Sequence, residues 1–83
     1  MKELYLVYNR FSEKYVLDSG KGTEQKDVLG KLTERELIES LKDKLDFSRN
    51  SVLYLDKEIQ EPIAEDIFRL CDDTKVRVER KKS

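Results

Sequence analysis

The chain has 83 residues, 37% of them hydrophobic and 42% charged, and its 17 basic and 18 acidic side chains give a net charge of -1. A chain this short forms one small core, so we expect a single domain over residues 1–83. The charge balance disfavours nucleic acid as a partner, because a general binder needs a basic stripe, and it also disfavours an acidic DNA mimic. Since there is one cysteine and no apolar run of about 20 residues, the sequence favours an intracellular, reducing, cytoplasmic location without membrane contact.

Two strands are predicted near the start of the chain. Residues 4–8 and 15–17 are rich in strand-forming apolar and aromatic side chains, and the polar residues 9–13 between them predict a hairpin turn. Residues 18–31 are polar and contain all three glycines, which predicts a long loop. Its glycine spacing does not match a phosphate-binding loop.

The clearest local signal is the start of a helix. Thr33 and Glu36 have the spacing of a capping box, and Leu32 and Leu37 have that of a hydrophobic staple. The pattern predicts a helix over 34–45 that lies across one face of a sheet. Its apolar stripe consists of Leu37, Ile38, Leu41 and Leu45.

The second half of the chain predicts two further strands around a short helix. Residues 51–55 are apolar and predict a third strand. Pro62 fits the first position of a short helix, because that position needs no N–H donor. Residues 75–80 alternate strictly, which predicts a last strand with Val76 and Val78 facing the core.

The order strand, strand, helix, strand, short helix, strand resembles that of the ubiquitin-like superfamily, and Lys57 and Ile59 resemble the turn after its third strand. The resemblance implies an α+β fold of the β-grasp type: a mixed sheet of four to five strands, ordered second, first, last, third, with one main helix. A ferredoxin-like fold is the alternative, weakened because two strands precede the first helix. Residues 67–76 also resemble the end of CIDE-N domains. Because no Gly-Gly follows the last strand, the resemblance implies neither a covalent tag nor a sulfur carrier.

The predicted sheet has a face that the helix does not cover. Alternation along the strands places five apolar residues there and puts Arg77 at the rim. The apolar residues are Tyr5, Val7, Val16, Leu53 and Leu55. Exposed apolar patches usually mark association, so we expect a non-covalent protein–protein interaction module, an adaptor or regulatory domain that binds a protein partner through this face. Self-association, or cover by the loop 18–31, are the alternatives. The variant Leu53→Asp with Leu55→Asp is expected to keep the fold and to lose association, whereas global unfolding would place both side chains in the core.

Two other functions remain open. One is a small protein inhibitor of a single enzyme, of the kind a virus encodes. The other is a single-stranded nucleic-acid-binding domain, suggested by Tyr5 and Phe11 among basic residues and requiring one of these rings to be exposed.

We expect no enzyme activity, no cofactor and no metal site. The chain has no histidine to pair with Cys71, so a core-filling cysteine is expected there. An acidic cluster follows the third strand, and we interpret it as a solvated surface because its spacing matches no metal motif. Its members are Glu58, Glu61, Glu65, Asp66, Asp72 and Asp73. Head-to-tail pairing of this cluster with a basic edge is a further hypothesis; that edge consists of Arg77, Arg80, Lys81 and Lys82.

Overall fold

A five-stranded mixed sheet carries two helices on one of its faces, which is an α+β architecture. The computed structural model describes residues 2–19 and 26–80. Within these residues the elements are β1 (Lys2–Asn9), β2 (Lys14–Asp18), β3 (Lys26–Gly30), α1 (Glu34–Lys44), β4 (Ser51–Leu55), α2 (Glu61–Cys71) and β5 (Val76–Arg80). In this part of the chain, no helix is long and apolar enough to cross a membrane.

The strand order in the sheet is β3-β2-β1-β4-β5. β2 pairs antiparallel with both β1 and β3, while β4 pairs parallel with both β1 and β5. Parallel neighbours need a crossover connection, and α2 supplies the one from β4 to β5. α1 connects the edge strand β3 to β4, which lies beside β1 in the middle of the sheet.

The strand order predicted from the β-grasp resemblance is wrong. It placed the last strand beside the first, whereas β4 occupies that position and β5 is an edge strand. The physical reason is the length of α2, which has eleven residues rather than a short turn. A helix of that length forms a complete β-α-β crossover, so β5 pairs parallel with β4, the strand that precedes the helix.

Part of the predicted loop over 18–31 is a strand. β2 continues through Asp18, and residues 26–30 form β3 at the edge of the sheet. The pairing of β2 with β3 shifts between Tyr15 and Val16, which marks a bulge, and the strand ends at Gly30 with a φ of 101° that favours glycine. The remainder of the predicted loop, 20–25, lies outside the described residues.

The core lies between the sheet and the two helices. Leu37 and Leu41 of α1 and Ala64, Ile67 and Cys71 of α2 pack on the strands. The side chains that the strands contribute to this core are Leu4, Leu6, Tyr15, Leu17, Leu53, Leu55 and Val76.

The prediction of which β4 side chains lie on which face of the sheet is therefore wrong. Leu53 and Leu55 were expected on the uncovered face, and both are completely buried under the helices. The cause is the register, in which Leu53 lies beside Leu4 and Leu55 beside Leu6. Since side chains alternate along a strand, Val52 and Tyr54 take the opposite face.

The predicted capping box at the start of α1 is confirmed. The Thr33 hydroxyl accepts a hydrogen bond from the backbone N–H of Glu36 at 3.2 Å, and the Glu36 carboxylate accepts one from the N–H of Thr33 at 2.9 Å. Helix α1 ends at Lys44, one residue before the predicted end.

We expect Thr33→Ala to lower the free energy of unfolding by about 0.5–2 kcal/mol, because it leaves the N–H of Glu36 without its acceptor. Thr33→Ser, which keeps the hydroxyl, is the matched control and should cost only a fraction of that. Urea denaturation followed by circular dichroism measures both values. Equal losses in the two variants would contradict a stabilising role of the cap.

We expect Leu53→Ala to lower the free energy of unfolding by about 2–5 kcal/mol, because it opens a cavity in the core. Val28→Ala, at an exposed position of β3, should stay within about 0.5 kcal/mol of wild type. Urea denaturation of both variants tests the assignment of the two faces. A small loss for Leu53→Ala together with a large one for Val28→Ala would contradict it.

Candidate functional site

The face of the sheet opposite the helices carries six apolar or aromatic side chains, and we call it the open face. Its members are Tyr5, Val7, Val16, Val28, Val52 and Tyr54. The register places them together, since Val16 pairs with both Val7 and Val28, and Tyr5 lies beside Tyr54.

Two stacked tyrosines occupy the centre of the open face. The rings of Tyr5 and Tyr54, from the neighbouring parallel strands β1 and β4, have centroids 5.0 Å apart and planes inclined by 18°. Desolvation raises the pKa of Tyr54, and the negative charges of Glu3 and Glu79 raise it further. The Tyr54 phenol is therefore neutral near neutral pH, and the stacked pair forms an aromatic surface.

The valines around the tyrosines differ in exposure. Val52 is only 4% exposed although it faces away from the main core, whereas Val7 is 37% exposed and Val28 is 60% exposed. The open face is therefore most accessible on the side of β1, β2 and β3.

The charges around the open face are mixed. Alternation along the strands places Glu3, Asp18 and Glu79 on this face together with Lys14 and Arg77, and Lys26 lies at its corner. The Arg77 guanidinium donates a hydrogen bond to the carboxylate of Glu79. The rim thus has no excess of positive charge.

The hairpin between β1 and β2, at one end of the sheet, presents a phenylalanine to solvent. Phe11 is 91% exposed, and the Arg10 guanidinium lies over its ring, 5.9 Å from the centroid. The turn is well ordered by hydrogen bonds, since the side-chain oxygen of Asn9 accepts from the N–H groups of Phe11 at 2.9 Å and Ser12 at 3.3 Å.

Four of the six predicted site residues lie together. Tyr5, Val7, Val16 and Arg77 are on the open face, while Leu53 and Leu55 are in the core for the reason of register given above. The sequence reasoning missed three members of this face: Val28, Val52 and Tyr54. Val28 belongs to a strand that was predicted as a loop, and the assignment of Val52 and Tyr54 follows only from the pairing of β4 with β1.

The acidic cluster is partly neutralised by neighbouring side chains. Glu58 lies 3.9 Å from Arg10, Glu61 lies 3.7 Å from Arg80, and Asp66 accepts a hydrogen bond from Arg69 at 2.7 Å. Across the described residues, no three acidic, cysteine or histidine side chains are grouped so as to hold a metal ion.

The basic edge expected to pair with this cluster in another copy is also engaged within the chain. The Arg80 guanidinium donates a hydrogen bond to the carbonyl oxygen of Ile59 and lies near Glu61, while Arg77 bonds to Glu79. Lys81 and Lys82 lie outside the described residues. These internal contacts weaken the head-to-tail hypothesis.

No protein-family model, curated protein or solved structure matches this chain. The chemistry of its own surfaces is therefore what indicates its function.

Cys71 is buried at the end of α2, where it packs in the core. Desolvation raises the pKa of the Cys71 thiol to about 11 from an ordinary value of 9.0. The thiolate is the reactive form of cysteine, so this side chain is chemically inert near neutral pH.

We expect the native protein to react with iodoacetamide at least about 100-fold more slowly than the unfolded chain, because two pKa units reduce the thiolate fraction by that factor. Mass spectrometry after alkylation near pH 8, with and without urea, measures the two rates.

The raised pKa of Cys71 also sets the sign of the pH dependence of the protein's stability. Above the ordinary value the unfolded chain loses the thiol proton first, so the part of the stability that depends on Cys71 falls as the pH rises toward 11. Cys71→Ala is the control that isolates the part of the stability that depends on Cys71. Equal alkylation rates in the native protein and the unfolded chain would contradict the burial of this side chain.

Proposed function

We propose that this protein is a non-covalent protein-binding module that uses the open face to contact its partner. The observation that carries the proposal is an apolar surface with a stacked tyrosine pair, Tyr5 and Tyr54, on the side of the sheet opposite both helices. Of the four large hydrophobic side chains exposed in the described chain, two are on this face and a third, Phe11, is in the β1–β2 hairpin at one end of the sheet. Such concentration of apolar surface is typical of interaction sites.

The size of the open face indicates a modest affinity. Five strands about 4.8 Å apart and five residues long cover roughly 400 Å². A standard stable interface buries about 800 Å² on each partner, so the sheet face supplies only about half of it. Contacts at the rim and at the hairpin must supply the rest, or the complex is transient.

Phe11 is suited to extend the interface. Burying an exposed phenylalanine contributes about 1.5–3 kcal/mol, and binding energy is usually concentrated in a few aromatic anchors. The Asn9 side chain fixes the turn that presents this ring, so little order has to be gained on binding.

The charges favour a protein over a nucleic acid as the partner. Binding to a phosphate backbone relies on counterion release by clustered lysine and arginine side chains. The open face has acidic residues in equal measure, and Arg77 is already bonded to Glu79. Tyr5 and Tyr54 stack on each other, and this mutual contact already uses one face of each ring.

We expect Val7→Lys with Val28→Lys to lower the affinity for the partner at least about tenfold, because it puts two desolvated charges into the interface. Both positions are exposed, so the fold should remain, as thermal unfolding will show. The matched control is Phe68→Lys with Glu65→Gln, which makes the same change of net charge on α2. Phe68 is 43% exposed on the helical side of the molecule.

The measurement is cross-linked affinity capture from the lysate of the source organism, followed by calorimetry with the purified partner. The three baits are the wild-type protein, the open-face variant and the α2 variant. Binding retained by the α2 variant and lost by the open-face variant supports the proposal. Retention by both variants contradicts it. Sedimentation equilibrium on the same three proteins tests self-association, since a dimer lost only in the open-face variant identifies a second copy as the partner.

A further inference from the structure

A cleft on the helix side of the sheet, away from the open face, gathers positive charge. It lies at the end of the sheet where β1, β3 and β4 begin, and its volume is about 440 Å³. That volume falls in the range of about 300–1,000 Å³ typical of small-molecule sites. The charged side chains that line this basic cleft are Lys2, Lys26, Lys44, Arg49, Asp27 and Asp46. Lys26, the first residue of the edge strand β3, lies where the cleft meets the corner of the open face.

The balance of these six charges is positive, with four cations against two carboxylates, in a chain whose net charge is -1. Asp27 is paired with Lys44 at 3.1 Å. Asp46 accepts hydrogen bonds from the Ser48 hydroxyl at 2.6 Å and from the Ser48 N–H at 3.1 Å. These bonds lower the pKa of Asp46, and the charges of Arg49 and Lys2 lower it further, so this carboxylate stays ionised.

Lys2 and Arg49 retain donors for a ligand. Among the described residues neither of them has a carboxylate within 4.0 Å, although both lie near Asp46. Ser19 also lines the cleft; its hydroxyl is shielded from solvent and has no hydrogen-bond partner within the part of the chain that the structure describes. Shielded polar atoms without a partner are rare in folded proteins, so this hydroxyl is a donor available to a bound group.

Two leucines also line the cleft. Leu4 and Leu17 are nearly buried and lie beneath the charged rim. An ammonium, a guanidinium and a hydroxyl group together match the three acceptor oxygens of a phosphate group, and the leucines match an apolar substituent on it. We propose that the basic cleft binds a small phosphate monoester, with the phosphate held by Lys2, Arg49 and Ser19 and the organic part against Leu4 and Leu17.

The test is an NMR titration of the wild-type protein with phenyl phosphate, with inorganic phosphate and phenol as comparisons, at constant ionic strength so that screening does not change. We expect saturable shifts of the amide signals of Ser19, Asp27, Arg49 and Ser51, and tighter binding of phenyl phosphate than of inorganic phosphate. Lys2→Gln with Arg49→Gln should weaken binding at least about tenfold, because charge-assisted hydrogen bonds are lost. The matched control is Lys31→Gln with Lys57→Gln, which removes two exposed charges elsewhere and should change the affinity less than about twofold.

Two results would overturn the proposal. One is the absence of saturation up to about 10 mM phenyl phosphate, which would exclude a site with a dissociation constant near 1 mM. The other is equal weakening by the two double variants, which would show attraction by overall charge and no defined site. Loss of binding in the open-face variant Val7→Lys with Val28→Lys would also count against it, since that variant leaves the cleft intact. The result of this titration is thus independent of the test of partner binding by the open face.

Discussion

The parallel pairing of β4 with β1 is the interaction on which the rest of the structure depends. Its register sets Leu4 beside Leu53 and Leu6 beside Leu55, which creates the apolar surface that the helices cover. The same register sets Tyr5 beside Tyr54 on the opposite side. A slip by one residue would exchange the two faces of β4, so the core and the open face are fixed by one set of backbone hydrogen bonds.

Features determined by neighbouring residues could be predicted from the sequence. The start of α1 follows from the reciprocal bonds of Thr33 and Glu36, which join residues three positions apart. β1, β2 and β5 follow from runs or alternation of strand-forming residues. The inward positions of β1 and β2 were also predicted correctly, because polar residues flank their apolar runs and define the alternation.

Features determined by distant pairing could not be predicted in this way. The segment from Val52 to Leu55 is apolar at every position, so alternation gives no preference between its two faces, and only the contact with β1 decides. β3 has no buried residue and begins with two charged ones, which left no apolar pattern to recognise. The position of β5 depends on whether α2 is long enough to form a crossover. The length of α2 was hard to predict, because Gln60 at its start makes no side-chain cap that would mark the helix end in the sequence.

The two proposed surfaces are built from alternate residues of the same two strands. On β1, Leu4 lines the basic cleft and Tyr5 belongs to the open face, and on β2 the same holds for Leu17 and Val16. The side chains point to opposite sides of the sheet, so neither ligand obstructs the other. Coupling between them would require the strands to adopt a second arrangement, and β1 is held by hydrogen bonds to β2 on one side and to β4 on the other. A central strand that is paired on both sides resists such a change, so a ligand bound at one of the two proposed surfaces would leave the other unchanged.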